Sequence, residues 1–366
     1  MGLACGIVGL PNVGKSTLFN ALAGSALAAA ANFPFCTVEP NRAIVPVPDP
    51  RLDQLAALVP TQKVTPATLT VVDIAGLVRG AHAGAGLGNQ FLAHIRAVDA
   101  IIHVLRCFED PEIIHVEGAP DPIRDKEIVD LELQLKDLET LQRALQKVEK
   151  AARLQGTPEE VKRWVLLQRA EAHLQAAQPL RTLPLDAEEQ SLLAPFQFLT
   201  LKPVLYVANV AEASLPEGNA FSEAVAALAA AEGAPALTLC AALEAQIAQL
   251  PPEERTDFLR LYGLKEPALH QLIRAAYKLL GLITFFTLGP KEIRAWTLPQ
   301  GVRAPQAAGR IHSDMEQGFI RAEVTAFADF IACGGEMEAQ AAGKRRLEGK
   351  DYIVQDGDII YFRFAV

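Results

Sequence analysis

Gly9-Leu10-Pro11-Asn12-Val13-Gly14-Lys15-Ser16 decides how this chain is read. The stretch is G-x-x-x-x-G-K-[ST] in full. The apolar run Cys5-Gly6-Ile7-Val8 precedes it, and a helical pattern from Ser16 to Leu22, closed by Gly24, follows it. Strand, loop and helix are the context the motif requires. Gly9 and Gly14 let the backbone curl so that N–H groups and the helix N-terminus face phosphate oxygens. The phosphate-binding residues are then Asn12, Val13, Gly14, Lys15, Ser16 and Thr17. Lys15 neutralises charge in catalysis and Ser16 ligates Mg2+. The plain alternative is a glycine-bearing turn with no ligand.

Working outward, short apolar runs recur at Leu69–Val72, Ala100–Leu105, Val204–Ala208 and Ala236–Cys240. Runs apolar on both faces and separated by helical stretches suit a doubly wound parallel sheet, an α/β fold. The 366 residues, 50% hydrophobic and 21% charged, suffice for two or three domains and exclude a disordered chain. A formal charge of −9 argues against a protein that coats nucleic acid over its whole surface. Five scattered cysteines without CxxC pairing, and no leader or long apolar run, predict a cytoplasmic protein with no zinc site and no membrane partner.

A helical insertion fills the gap between the third and fourth runs. Leu131, Leu135, Leu138, Leu141, Leu145, Val148 and Ala152 follow a coiled-coil period. Gly156 breaks it, and Thr157 with Glu160 forms a capping box ahead of Pro158, opening a second helix to about His173. Between Thr140 and Ala170 seven bases face three acids, so this hairpin is either a solvated face or an RNA contact. After Gly281, alternating runs at Leu282–Thr287, Ile293–Thr297, Tyr352–Val354 and Ile359–Phe362 predict a small β domain. The expected division is 1–125 with 197–280 for the nucleotide domain, 126–196 for the hairpin and 281–366 for the β domain.

Asp73-Ile74-Ala75-Gly76 ends the second run as D-x-x-G: Asp73 reaches Mg2+ and the Gly76 N–H meets the γ-phosphate. Thr37 lies where a switch segment would close over the metal with a hydroxyl. Guanine-specific proteins carry N-K-x-D after the fourth parallel strand; here the stretch is Asn209-Val210-Ala211-Glu212, without the lysine and with the longer acid. Adenine offers a lone pair at N1 and no 2-amino group, so these residues favour ATP, with GTP weaker.

The phosphate loop resembles that of the YchF/Obg-like ATPase family, as do Asn32–Asn41, Asp73–Ala81, Gly86–Leu92 and Asn209–Glu212. The likeness spans essentially the whole chain. The last 80-odd residues, including Ile311–Ile320, resemble that family's TGS module, a β-grasp domain. The resemblance implies an ATP-preferring P-loop NTPase with a coiled-coil insertion, found in the cytoplasm and associated with ribosomes; the expected contacts are the ribosome or its rRNA or tRNA through the hairpin and the β domain, and the expected state is a monomer. Ras-like enzymes orient the hydrolytic water with a Gln after D-x-x-G; Leu77 stands here and cannot. His115 is one candidate to handle the water, with an ordinary loop histidine as its plain reading. Asn12 is the other, holding a K+ ion as its equivalent does in potassium-activated relatives. Slow intrinsic turnover follows from either. A GTP-specific switch and a nucleotide-sensing scaffold with negligible hydrolysis are the competing readings.

Overall fold

The structure is a computed structural model and describes residues 3–30, 38–39, 41–74, 87–153 and 157–365. The strands are β1 (Ala4–Val8), β2 (Val38–Glu39), β3 (Arg42–Pro46), β4 (Val64–Thr65), β5 (Thr68–Asp73), β6 (Ala100–Cys107), β7 (Val204–Val210) and β8 (Ala236–Leu239). They continue with β9 (Leu282–Thr287), β10 (Ile293–Pro299), β11 (Phe319–Ala326), β12 (Arg346–Glu348) and β13 (Asp358–Phe364). One sheet runs in the order β2-β3-β5-β1-β6-β7-β8. Its β5-β1, β1-β6, β6-β7 and β7-β8 pairings are parallel. Every residue of β6 and β7 is buried, as expected of central strands covered on both faces. The five apolar runs expected as strands are β1, β5, β6, β7 and β8.

The first helices are α1 (Lys15–Ala30), α2 (Pro50–Leu58), α3 (Leu87–Ala97), α4 (Pro122–Arg153) and α5 (Pro158–Gln175). They continue with α6 (Ala187–Leu193), α7 (Ala220–Glu232), α8 (Ala241–Gln249) and α9 (Pro252–Leu261). Helix α1 runs through Gly24 instead of ending there. A single internal glycine costs only about 1 kcal/mol and breaks no backbone bond. Thr157 accepts from the Glu160 N–H while the Glu160 carboxylate accepts from the Thr157 N–H, so the expected capping box opens α5. Helices α4 and α5 pack through Leu141, Ala144, Leu166, Leu167, Ala170 and Leu174. Leu131, expected in this seam, is half exposed at 51%, and Leu133 is buried at 1%. The reason is that the first turns of α4 lie against β6 and α7, so the apolar face there is set by the sheet and not by α5.

The hairpin is tied down by buried charge. Asp137 accepts from the backbone N–H groups of Leu199 and Thr200, at 2.8 and 2.7 Å, and from the Thr200 hydroxyl at 2.7 Å. Arg181 donates to Asp130 at 2.6 Å, Lys126 pairs with Asp130 at 2.9 Å, and Glu232 accepts from Tyr206 at 2.7 Å.

The chain forms two compact units. The first comprises residues 1–25, 39–43 and 70–272, and so includes the hairpin; the second comprises 26–38, 44–69 and 273–366. In the second, the sheet order is β12-β11-β13-β9-β10-β4, with β9-β10, β11-β12 and β11-β13 antiparallel and β13-β9 and β10-β4 parallel. Residues 44–69, assigned from sequence to the nucleotide domain, thus give this sheet its edge strand β4 and the helix α2. Arg51 of α2 pairs with Asp356 at 2.8 Å and lies over the Phe286 ring. Tyr352–Val354, expected as a strand, is not one; Ile353 forms only a bridge to Arg303. No helix among the described residues is long and apolar enough to cross a membrane.

Candidate nucleotide-binding site

The parallel registers set Val8 of β1 opposite His103 of β6, Cys107 opposite Val210, and Asn209 opposite Leu239. The loops leaving the carboxyl ends of β1, β6, β7 and β8 therefore gather at one edge, where open parallel sheets take their ligands. The loop after β1 needs its glycines. Gly9 has φ +155°, and a Cβ there would sit 2.4 Å from the Val104 carbonyl oxygen. Gly14 has φ +99°, and a Cβ there would sit 2.3 Å from Asn209 Nδ2. Asn12 takes the left-handed conformation at φ +61°, which asparagine tolerates better than most residues.

Lys15 is buried, and its ammonium donates to the Leu10 carbonyl oxygen at 2.6 Å, across the mouth of its own loop. Burial lowers its pKa to about 8, opposed by the charge of Asp73. Ser16, in the first turn of α1, donates its hydroxyl to Asp73 Oδ2 at 3.2 Å. Burial raises the Asp73 pKa, against the Ser16 hydrogen bond and the Lys15 charge. Its other oxygen, Oδ1, is buried with no hydrogen-bond partner among the described residues. A hydroxyl beside a carboxylate with one orphaned oxygen is a hard-oxygen donor set that fits Mg2+. Thr37 and Gly76, expected at the metal and the γ-phosphate, lie outside the described residues, as do Cys36 and Leu77.

Asn209 is where the motif after β7 meets the phosphate loop. Its Nδ2 donates to the Val13 carbonyl oxygen at 2.9 Å, and its Oδ1 accepts from the Ala241 N–H at 2.9 Å. Beside it lies a cavity of about 500 Å³ lined by Asn12, Thr17, Phe108, Val210, Glu212 and Cys240, among others. That volume is in the range of small-ligand sites. Asn12, Gly14, Thr17, Asn209, Val210 and Glu212, all named from sequence, line it together. Phe108, Asp110, Ile113 and Cys240 were missed. They stand in loops after β6 and β8, and the strand-end rule was the signal that pointed there.

Arg106, also missed, shapes the wall. This buried side chain donates from Nε to the Phe108 carbonyl at 3.1 Å, from Nη1 to that of Ile113 at 2.9 Å and from Nη2 to that of Asp110 at 3.2 Å. Its guanidinium lies 4.6 Å from the centre of the Phe108 ring. The same segment reaches the phosphate loop through Asn12 Nδ2, which donates to the Ile114 carbonyl oxygen at 3.1 Å.

His115 is buried, with both ring nitrogens engaged. The Glu117 N–H donates to Nδ1 at 3.1 Å, which places the ring proton on Nε2, and Nε2 donates to Asp125 Oδ2 at 2.8 Å. Arg124 holds the other oxygen of Asp125 at 3.0 Å. The ring is thus fixed at the head of α4, and its neighbour Ile114 makes the contact with Asn12.

Comparisons with known proteins identify the family. A family model described as a 50S ribosome-binding GTPase matches residues 4–151, and the YchF-GTPase_C model, described as a protein of unknown function, matches residues 282–365. A protein of Escherichia coli O157:H7 named Ribosome-binding ATPase YchF is 54% identical over 366 residues, the whole of both chains. The Bacillus subtilis protein of the same name is 50% identical over 368 residues, again covering both chains. The solved structure of the Schizosaccharomyces pombe YchF GTPase superposes with a TM-score of 0.89 at 38% identity, over 99% of this chain and 97% of that one. On identity over its full length, the chain belongs to the YchF family.

Proposed function

We propose that this chain is a ribosome-associated P-loop ATPase of slow intrinsic rate, working as a switch in translation. The observation that carries ATP binding is the joined site: phosphate loop, Ser16 with Asp73, and a cavity held to that loop by Asn209. The relatives' name, Ribosome-binding ATPase, supports the ribosome as partner and ATP as nucleotide, while the yeast structure is described as a GTPase. Glu212 in the place of a guanine-reading Asp, with no lysine at Val210, supports ATP. The cytoplasm is the compartment this implies. The domain reading carried forward is a nucleotide domain, an inserted hairpin and a C-terminal TGS-type module, the last two being the ribosome-facing parts.

Ser16, Asp73 and Thr37 would hold Mg2+, which neutralises charge on the β- and γ-phosphate oxygens when bound. Lys15 must leave the Leu10 carbonyl to meet a triphosphate, so the loop binds by exchanging an internal acceptor for an anionic one. Gly76 supplies a backbone N–H to the γ-phosphate. His115 handles the proton of the attacking water, but only after Nε2 leaves Asp125 and Nδ1 leaves Glu117. That double release is a physical reason for slow turnover without a partner.

Competition of labelled ATP against GTP tests the nucleotide; tenfold tighter GTP binding would overturn it. Single-turnover hydrolysis with and without ribosomes and potassium tests the rest. Lys15→Ala is expected to lose hydrolysis, and full activity in that variant refutes the catalytic assignment. Potassium dependence would shift the charge-stabilising role to a cation at Asn12, and no turnover under any condition would leave a nucleotide-sensing scaffold.

A further inference from the structure

Glu212 does not face the cavity alone. At the end of α9, the Tyr262 hydroxyl donates to Glu212 Oε1 at 2.6 Å. Tyr262 is not among the residues lining the cavity; Glu212 is. Its position is set by apolar packing. The ring lies 5.3 Å from that of Phe258, and both pack against a cluster of Cys240, Leu243, Ile247 and Leu259. Cys240 belongs to that cluster and to the cavity wall, so cluster and cavity are continuous. The turn beyond the ring is fixed by Gly263, at φ +67°, whose N–H bonds the Arg260 carbonyl. The packing of the ring thus sets where the phenol meets Glu212.

We propose that Tyr262 is a specificity-positioning residue for the purine base: by holding one oxygen of Glu212, it leaves a guanine-type carboxylate a single freely oriented acceptor. Guanine offers N1–H and its 2-amino group side by side, and a carboxylate reads the pair best when both oxygens point at them. A short hydrogen bond from a phenol takes a lone pair of Oε1 and fixes the rotation of the carboxylate, because that oxygen must stay aimed at the phenol. Oε1 keeps a second lone pair but its direction is set by the phenol, so Oε2 is the oxygen left free to turn toward the base. One acceptor suits adenine, whose sole exocyclic donor is its 6-amino group. Guanine loses half of its pair, and a donor that leaves water without a matched acceptor costs more than the missing bond itself. On this view the exchange of Asp for Glu does not set the preference alone. The longer acid brings its oxygen within reach of the phenol, and the phenol does the discriminating.

This inference rests on the ATP reading above, and one set of measurements separates the two. The affinities of non-hydrolysable ATP and GTP analogues are measured for the native protein, Tyr262→Phe, Glu212→Gln and the double variant. The quantity read is the ratio of the two affinities, which cancels differences in phosphate binding and in the folded fraction of each preparation. The native ratio tests whether ATP is preferred at all. Tyr262→Phe keeps the ring and its packing and removes only the hydroxyl, so the ratio should shift toward GTP by threefold or more. In the Glu212→Gln background the same change should shift it by less than threefold, because the amide cannot accept guanine's pair. A smaller shift in Tyr262→Phe, or an equal shift with Glu212 replaced, overturns the proposal whatever the native ratio is.

Discussion

Arg106 is the sharpest test of how the cavity wall is built. Replacing it with methionine keeps a long apolar stem and removes the guanidinium that joins the carbonyls of Phe108, Asp110 and Ile113. Hydrogen bonds from a charged donor contribute about 1.5–3 kcal/mol each, so three would give about 4.5 kcal/mol at the low end. Against this, the variant no longer desolvates a charge, and freed carbonyls reach water once the loop relaxes. A net loss of about 3 kcal/mol follows, concentrated in the segment from Phe108 to Gly118 and not spread over the sheet. By the rule of tenfold per 1.4 kcal/mol, protection of the segment's amides against hydrogen exchange should fall roughly 100-fold or more. The amides to follow are those of Glu112, bonded to Asp110 Oδ1 at 2.9 Å, and Glu117, bonded to His115 Nδ1 at 3.1 Å. Peptides from β1 and β7 serve as internal controls. If exchange in Phe108–Gly118 stays within threefold of the native protein while the controls are also unchanged, the guanidinium does not organise the wall.

Gly14→Ala should abolish nucleotide binding without unfolding the sheet. Its Cβ would displace Asn209 Nδ2, 2.3 Å away, at a φ of +99° that alanine rarely adopts; calorimetry showing native affinity would sink the idea. His103 should leave a mark on acid stability. Burial lowers its pKa to about 4, so between pH 6.5 and 4 the unfolded chain takes up a proton that the folded chain refuses. Stability is intact above this window and falls through it by about 3 kcal/mol, at 1.36 kcal/mol per pKa unit. Denaturation at pH 7 and 4.5 should show a smaller loss for His103→Phe than for the native protein, and equal losses would refute the assignment.

The phosphate loop was legible because its chemistry is local: two glycines, a lysine and a serine act within eight residues of one another. The parallel strands were legible because burial on both faces writes itself as continuous apolar runs. What escaped notice depends on distance in the chain. Residues 44–69 read as part of the nucleotide domain because nothing in Val64-Thr65 announces that its partner is Ile293 and Arg294, more than 200 positions away. Leu131 follows the coiled-coil period yet faces solvent, since periodicity names an apolar face but not what covers it. Arg106 sits in a strand whose every residue is buried, where a charged side chain looks like an intruder until its three carbonyl partners are seen. His115 was singled out for its chemistry, and the sequence could not show that Glu117 and Asp125 already engage both nitrogens.

One pattern unites the residues around the cavity: they are bonded to each other's backbones more than to each other's side chains. Asn209 spans the loops after β1 and β8, and Asn12 joins the phosphate loop to Ile114. Arg106 gathers the loop after β6, and Asn219 donates to the Cys107 carbonyl at 2.7 Å where that loop begins. Each bond runs from a side chain at a strand end or in a strand-end loop to the main chain of another such loop or of its own. A main-chain acceptor cannot move without moving the loop that carries it. A nucleotide that draws Lys15 off Leu10 and presses on Asn12 therefore acts on Ile114 and, through the adjoining peptide, on the residue whose ring is bonded to Asp125 at the head of α4. Helix α4 is also the first arm of the hairpin. The route from phosphate to hairpin thus needs only three linked contacts, Asn12 to Ile114, His115 to Asp125, and Asp125 along its own helix. A change at the phosphate loop that travels this route must pass through the His115–Asp125 pair, so on the role proposed above for His115 the same contact would couple its proton handling to displacement of the hairpin.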